Sequence, residues 1–134
     1  MLRRISHLGL AVKDLDAAIR LYEQVFGLKI AHRWVAEVDR MEAASFHIGD
    51  LEIELMQPLE DDSPVGKFIA RRGEGIHHIA FKVDDVGEAL RLAGEAGVER
   101  IDQEPRPGGD GRTLIGFLHP RGTFGVLTEL EQDV

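Results

Sequence analysis

The chain has 134 residues, of which 43% are hydrophobic and 30% charged, with a formal net charge of −8 and no cysteine. This excludes disulfides, a thiolate nucleophile and any Cys-based metal site, and the acidic balance argues against nucleic acid, which calls for a basic footprint. No apolar run approaches the roughly 20 residues of a membrane span, and an apolar pattern beginning at Ile5 leaves no room for a signal peptide; no membrane association and a cytoplasmic location are therefore expected.

The stretch "ISHLGLAV" (5–12) is rich in β-branched and aliphatic residues and reads as a buried strand. "DLDAAIRLYEQVFG" (14–27) places Leu15, Ala18, Ile19, Tyr22, Val25 and Phe26 at helical spacing, with Asp14 as N-cap and Gly27 as the stop. Strands are expected near 28–36, 41–48 and 51–57, the last two joined by a Gly49-Asp50 turn. "PLEDDSPVGKFIARRGEG" (58–75) reads as a linker carrying a short helix from Pro64 to Arg72.

The pattern then starts again. Laid on 76–97 at a constant offset of 71, residues 5–26 give seven identities in 22 positions: Ile5/Ile76, His7/His78, Val12/Val83, Asp14/Asp85, Ala18/Ala89, Arg20/Arg91 and Leu21/Leu92. Further strands near 98–103, 112–118 and 124–130 complete a second β-α-β-β-β unit. The expected fold is α+β: two tandem βαβββ modules (about 4–58 and 75–131, with a linker of about 59–74) forming a curved mixed sheet around a metal site.

Successive strand residues point to opposite faces, so only one of the adjacent His77 and His78 can serve a given site. The repeat pairs His78 with His7 and leaves His77 opposite Ser6, which assigns His77 a structural role. Aligning the last strands through Leu55 and Leu127 sets Gln57 opposite Glu129. His7, Gln57, His78 and Glu129 then form two equivalent pairs of the kind that hold a divalent first-row metal and leave coordination positions open.

The quoted segments, together with "GEGIHHIAFKVDD", "EPRPGGDG" and "FLHPRGTFGVLTELEQ", resemble the methylmalonyl-CoA epimerases of the vicinal oxygen chelate superfamily, over essentially the whole chain. The resemblance implies interconversion of (2R)- and (2S)-methylmalonyl-CoA through a metal-stabilised enolate, with cobalt(II) as the favoured divalent ion and manganese, nickel or zinc as alternatives, an acyl-CoA substrate and a homodimer. It also implies two proton carriers on opposite faces of the enolate. One is the carboxylate matching Glu129. The other is a glutamate whose place, counted back from Gly49 without a gap, falls on Ala43; Glu42 serves only if a bulge shifts the register by one. Arg106, Arg112, Arg121 and His119 are candidate substrate contacts among the late loops, and Lys67, Arg71 and Arg72 add positive charge near the linker. A glyoxalase I (lactoylglutathione lyase) type enzyme, which generally carries Glu rather than Gln at the position assigned to Gln57, is the alternative. A non-catalytic ligand-binding member of the fold is the other.

Overall fold

The computed structural model describes all 134 residues. Its regular elements are β1 (Arg4–Ala11), α1 (Leu15–Arg20), β2 (Ile30–Ala36), β3 (Met41–Ile48), β4 (Leu51–Pro58), α2 (Pro64–Arg72), β5 (Gly75–Lys82), α3 (Val86–Glu95), β6 (Arg106–Pro107), β7 (Thr113–Leu118) and β8 (Thr128–Asp133). The chain thus runs β-α-β-β-β twice. Two compact units emerge, one of His7–His77 and the other of His78–Val134 with Met1–Ser6.

In the first unit the strand order is β2-β3-β4-β1, with β1 parallel to β4 and the other pairs antiparallel. Strand alternation gives this sheet two faces. On one, Leu55, Ile53, Ala44 and Phe46 pack against Leu15 and Ile19 of α1. On the other, Ala11, Ala43 and Met56 pack with Val65 of α2, and Trp34, Phe68 and Ile69 lean on the same cluster. Asp14 caps α1 by accepting from the Ala17 N–H at 3.0 Å, which satisfies one of the helix's orphan donors. The expected continuous helix widens after Arg20 into one π-turn over Leu21–Val25 before Gly27, at φ 72°, ends it. Ser63 caps α2 by accepting from the Gly66 N–H at 3.1 Å, and α2 begins at the expected proline.

The second unit orders its strands β5-β8-β7-β6, with β5 parallel to β8. Val83, Val86, Leu90, Leu118 and Leu130 form its core. Asp85 caps α3 as Asp14 caps α1, accepting from the Glu88 N–H at 3.0 Å.

Two expectations for this half are corrected. Residues 98–103 are not a strand: Arg100 makes a single bridge to Leu118, and the Asp102 carboxylate takes the Phe117 N–H at 2.9 Å that a strand carbonyl would otherwise accept. The edge strand is only Arg106–Pro107, preceded by Pro105 and ending on Pro107, neither of which can donate to a ladder. The last strand begins at Thr128, not at 124, because a 3₁₀ turn at Pro120–Gly122 and positive φ at Phe124 (58°) and Gly125 (89°) occupy the approach.

Candidate active site

In the first unit His7 is 4% exposed on β1, which runs parallel to β4 with His7 abreast of Glu52 and Gly9 abreast of Glu54. Alternation puts His7, Gly9, Glu52 and Glu54 on one face. The His7 Nε2 lies 3.5 Å from the Glu54 carboxylate, and Glu54 is itself 9% exposed. In the second unit His78 and Glu129 are 4% and 5% exposed, with Nε2 2.9 Å from the carboxylate oxygen. Each unit therefore presents a buried imidazole beside a buried carboxylate. A buried carboxylate needs a charged or hydrogen-bonding partner, and an imidazole nitrogen or a cation can serve.

Gln57 is not the counterpart of Glu129. Its side-chain oxygen accepts the Leu15 N–H at 2.7 Å, so it faces α1 together with Ile53 and Leu55. Gln132 does the same in the second unit, accepting the Val86 N–H at 2.7 Å. The repeat of the last strand is thus Glu54-Leu55-Met56-Gln57 against Glu129-Leu130-Glu131-Gln132. The pairing through Leu127 misplaces it by three residues, the length added by the turn before Thr128.

Glu42 also faces α1. The β3–β4 register runs unbroken from Met41 opposite Pro58 to Ile48 opposite Leu51 and places Glu42 opposite Gln57. The bulge that would turn Glu42 toward the His7 face is missing. Its carboxylate accepts from Arg33 Nε at 2.9 Å, and Arg33 also pairs with Asp16 of α1. The hydrogen bond to Glu42 is the main influence raising the Arg33 pKa further above its usual range. Ala43, fully buried, occupies the face that Glu42 leaves.

The remaining candidates are held by carboxylates in the second unit. Arg106 donates to Asp102 at 3.1 Å and lies 5.6 Å over the Phe117 ring. That ring in turn meets His78 edge-on at 5.6 Å, which brings Arg106 to the face of the His78–Glu129 pair. Arg112 pairs with Asp110 and Arg121 with Glu99. His119 accepts the Arg121 N–H at 3.0 Å as the cap of the 3₁₀ turn, and its Nδ1 is 3.1 Å from Glu99. This gives His119 a turn-forming role. His77, the other half of the doublet, is half-buried and meets Phe68 of α2 edge-on at 4.9 Å.

Residues 6–117 match the model of the Glyoxalase/Bleomycin resistance protein/Dioxygenase superfamily. The chain is 40% identical over 129 residues to a Bacillus subtilis protein named uncharacterized protein YqjC, covering 96% of this chain and 91% of that one. It is 33% identical over 134 residues to the ethylmalonyl-CoA/methylmalonyl-CoA epimerase of Cereibacter sphaeroides, covering 98% and 99%. A solved methylmalonyl-CoA epimerase in complex with methylmalonyl-CoA and ammonium superposes with a TM-score of 0.96 at 38% identity, over 100% of this chain and 96% of that one. No helix is long and apolar enough to cross a membrane. The chain belongs to the Glyoxalase/Bleomycin resistance protein/Dioxygenase superfamily and, within it, to the methylmalonyl-CoA epimerase family of isomerases.

Proposed function

We propose that the chain interconverts (2R)- and (2S)-methylmalonyl-CoA with a divalent metal held by His7, Glu54, His78 and Glu129. The observation that carries this reading is the pair of equivalent buried imidazole–carboxylate contacts, His7–Glu54 and His78–Glu129. The grouping of His7, His78 and Glu129 as buried residues able to hold a metal ion adds support. Two neutral imidazoles and two carboxylates suit a first-row dication. Glu54 in place of the expected Gln57 changes the charge: two carboxylates balance a dication, where one would leave it net positive. That favours retention of the metal and weakens its pull on a bound oxygen.

The C2 proton lies α to a thioester carbonyl, so its removal places charge on an oxygen. A bound dication would supply positive charge at that oxygen. Glu129, with its carboxylate beside His78, is the proton carrier on one face of the enolate, and solvent returns a proton to the other face to complete the inversion. Ligation would hold Glu129 in its carboxylate form while lowering its basicity. Glu42, turned to α1 and engaged by Arg33, serves the strand and helix rather than the proton. Arg106, fixed by Asp102 and Phe117, is the residue offered to the acyl-CoA.

Glu54 also favours a second reading, a lactoylglutathione lyase, because that activity goes with glutamate at this position. The two are separated by supplying each substrate to cobalt-loaded and metal-stripped protein. Metal-dependent conversion of (2S)- into (2R)-methylmalonyl-CoA supports the epimerase. Turnover confined to the hemithioacetal of methylglyoxal and glutathione would replace it with the lyase.

A further inference from the structure

The late-loop arginines are each matched to an acid: Arg106 to Asp102, Arg112 to Asp110 and Arg121 to Glu99. With 24 acidic residues against 16 lysines and arginines, a carboxylate partner is the ordinary state of a cation in this chain. Helix α2 is different. Its Lys67, Arg71 and Arg72 are exposed, and none of them has a carboxylate partner. Three of the four acids flanking the helix are engaged elsewhere. Glu60 and Asp62, before it, accept from Arg40 at 2.6 and 2.8 Å, and Glu74, after it, accepts the Lys13 N–H at 2.9 Å. The fourth, Asp61, lies beyond the end of the helix opposite Arg71 and Arg72.

Packing fixes where these cations stand. Val65, Phe68 and Ile69 face the cluster of Ala11, Ala43 and Met56, so Lys67 and Arg71, four residues apart, share the outer face of α2. Like charges at that spacing destabilise a helix. The helix dipole favours Arg71 and Arg72 in the last turn but offers nothing to Lys67 in the first half. Arg72 sits on the flank with its guanidinium 5.8 Å from the Phe68 ring centroid. The repulsion along α2 has no counter-charge in the chain, which marks a surface that takes one from a ligand. Two guanidinium forks and an ammonium suit phosphoryl oxygens, the forks binding bidentate and the ammonium as a point charge. Several such cations on one helix match a ligand with phosphoryl groups in more than one place.

We propose that Lys67, Arg71 and Arg72 of α2 bind the 3′-phosphate and the 5′-diphosphate at the nucleotide end of the acyl-CoA. The identity of the ligand rests on the epimerase reading; the affinity of α2 for a nucleotide with 3′ and 5′ phosphates does not. Phe68 ties the helix to His77, the residue before His78 in the chain, and the pantetheine arm of a CoA thioester supplies the reach from the phosphoryl groups to the acyl end. Arg106 is then left to the acyl end, and Arg112 and Arg121 to their own carboxylates.

Adenosine 3′,5′-bisphosphate, titrated calorimetrically into the full chain, is the direct probe. Lys67→Gln and Arg71→Gln should each weaken its binding about three- to fivefold, and the double variant about tenfold or more. Arg91→Gln removes the same charge from α3, where Glu88 and Glu95 already neutralise it, and should leave binding unchanged. Raising KCl from about 50 to about 300 mM should weaken binding in the parent more than in the double variant. The α2 variants should raise the KM for methylmalonyl-CoA by similar factors with kcat within about twofold of the parent, a loss of uniform binding. Their KM for methylmalonyl-pantetheine, which carries no phosphoryl group, should not move. Bisphosphate binding that is absent from the parent, survives the double variant or falls equally in Arg91→Gln overturns the site. Binding lost with the α2 cations, in a protein that does not turn over methylmalonyl-CoA, keeps the site and sinks the epimerase. Turnover with a KM unmoved by the α2 variants does the reverse.

Discussion

Gln57→Ala removes the acceptor of the Leu15 N–H at the start of α1, a 2.7 Å bond. The helix keeps its Asp14 cap on Ala17, so the loss is one orphan donor rather than the whole N-terminus. Loss of such a capping contact costs about 1 kcal/mol. Leu15 is 1% exposed, so water cannot readily replace the amide, which places the value toward about 1.5 kcal/mol. For a chain of this size that corresponds to a fall in Tm of roughly 4–6 °C. Gln132→Ala, which frees the Val86 N–H in the second unit, should lose a similar amount. Urea titration followed by circular dichroism gives the stability, and metal analysis after dialysis gives the stoichiometry. Both variants should keep their metal. A Gln57→Ala protein of wild-type stability that has lost its metal would refute the assignment of Gln57 to the α1 face, and with it the pairing of Glu54 with Glu129.

His78→Ala should abolish metal binding while His77→Ala, which removes the edge contact with Phe68, should leave stoichiometry intact in the same dialysis assay. Glu42→Gln should retain at least half of the epimerase kcat, because that carboxylate bonds Arg33; a loss of a hundredfold or more would place it at the substrate. Lys82→Met strips Glu131, 7% exposed, of its 2.6 Å ammonium bond. Ser6 still donates to that carboxylate, which holds the loss to about 2–3 kcal/mol, read by urea titration. The Lys82 hydrogen bond also keeps the Asp133 carboxyl below its usual range. A depressed carboxyl stabilises the fold above its ordinary pKa, and that stability is lost as pH falls through the lowered value. Lys82→Met should therefore show a shallower decline of stability on acidification than the parent. Gly66→Ala would bring a Cβ to 2.5 Å from the Glu60 carbonyl and 2.6 Å from that of Asp61. Both are backbone atoms that cannot rotate away, and the expected loss is about 2–3 kcal/mol, measured as a drop in Tm.

Much of the architecture was legible because local and tertiary signals agree. Met41–Ile48 and Pro64–Arg72 fall where alternation, the Gly49-Asp50 turn and the helix start at Pro64 place them. His7 and His78 were found because the repeat around them is ungapped. The last strand of each module was misregistered because the ungapped offset fails beyond Gly97, where the second module has a proline-rich edge and a 3₁₀ turn in place of a tight hairpin. The correct register was present in the sequence as the shared Glu-Leu-x-Gln of 54–57 and 129–132, a match of three residues in four that outweighs the single Leu55/Leu127 pairing. Glu42 illustrates a different limit. Whether a strand bulges by one residue is decided by pairing with its neighbour, and Met41 opposite Pro58 is a tertiary fact.

The account stands most directly on proton traffic at C2. In D2O, cobalt-loaded protein incubated with (2S)-methylmalonyl-CoA should replace the C2 proton signal with deuterium as the (2R) form appears. Glu129→Gln should suppress both. A C2 proton that persists through prolonged incubation with the metal-loaded wild-type protein would contradict it.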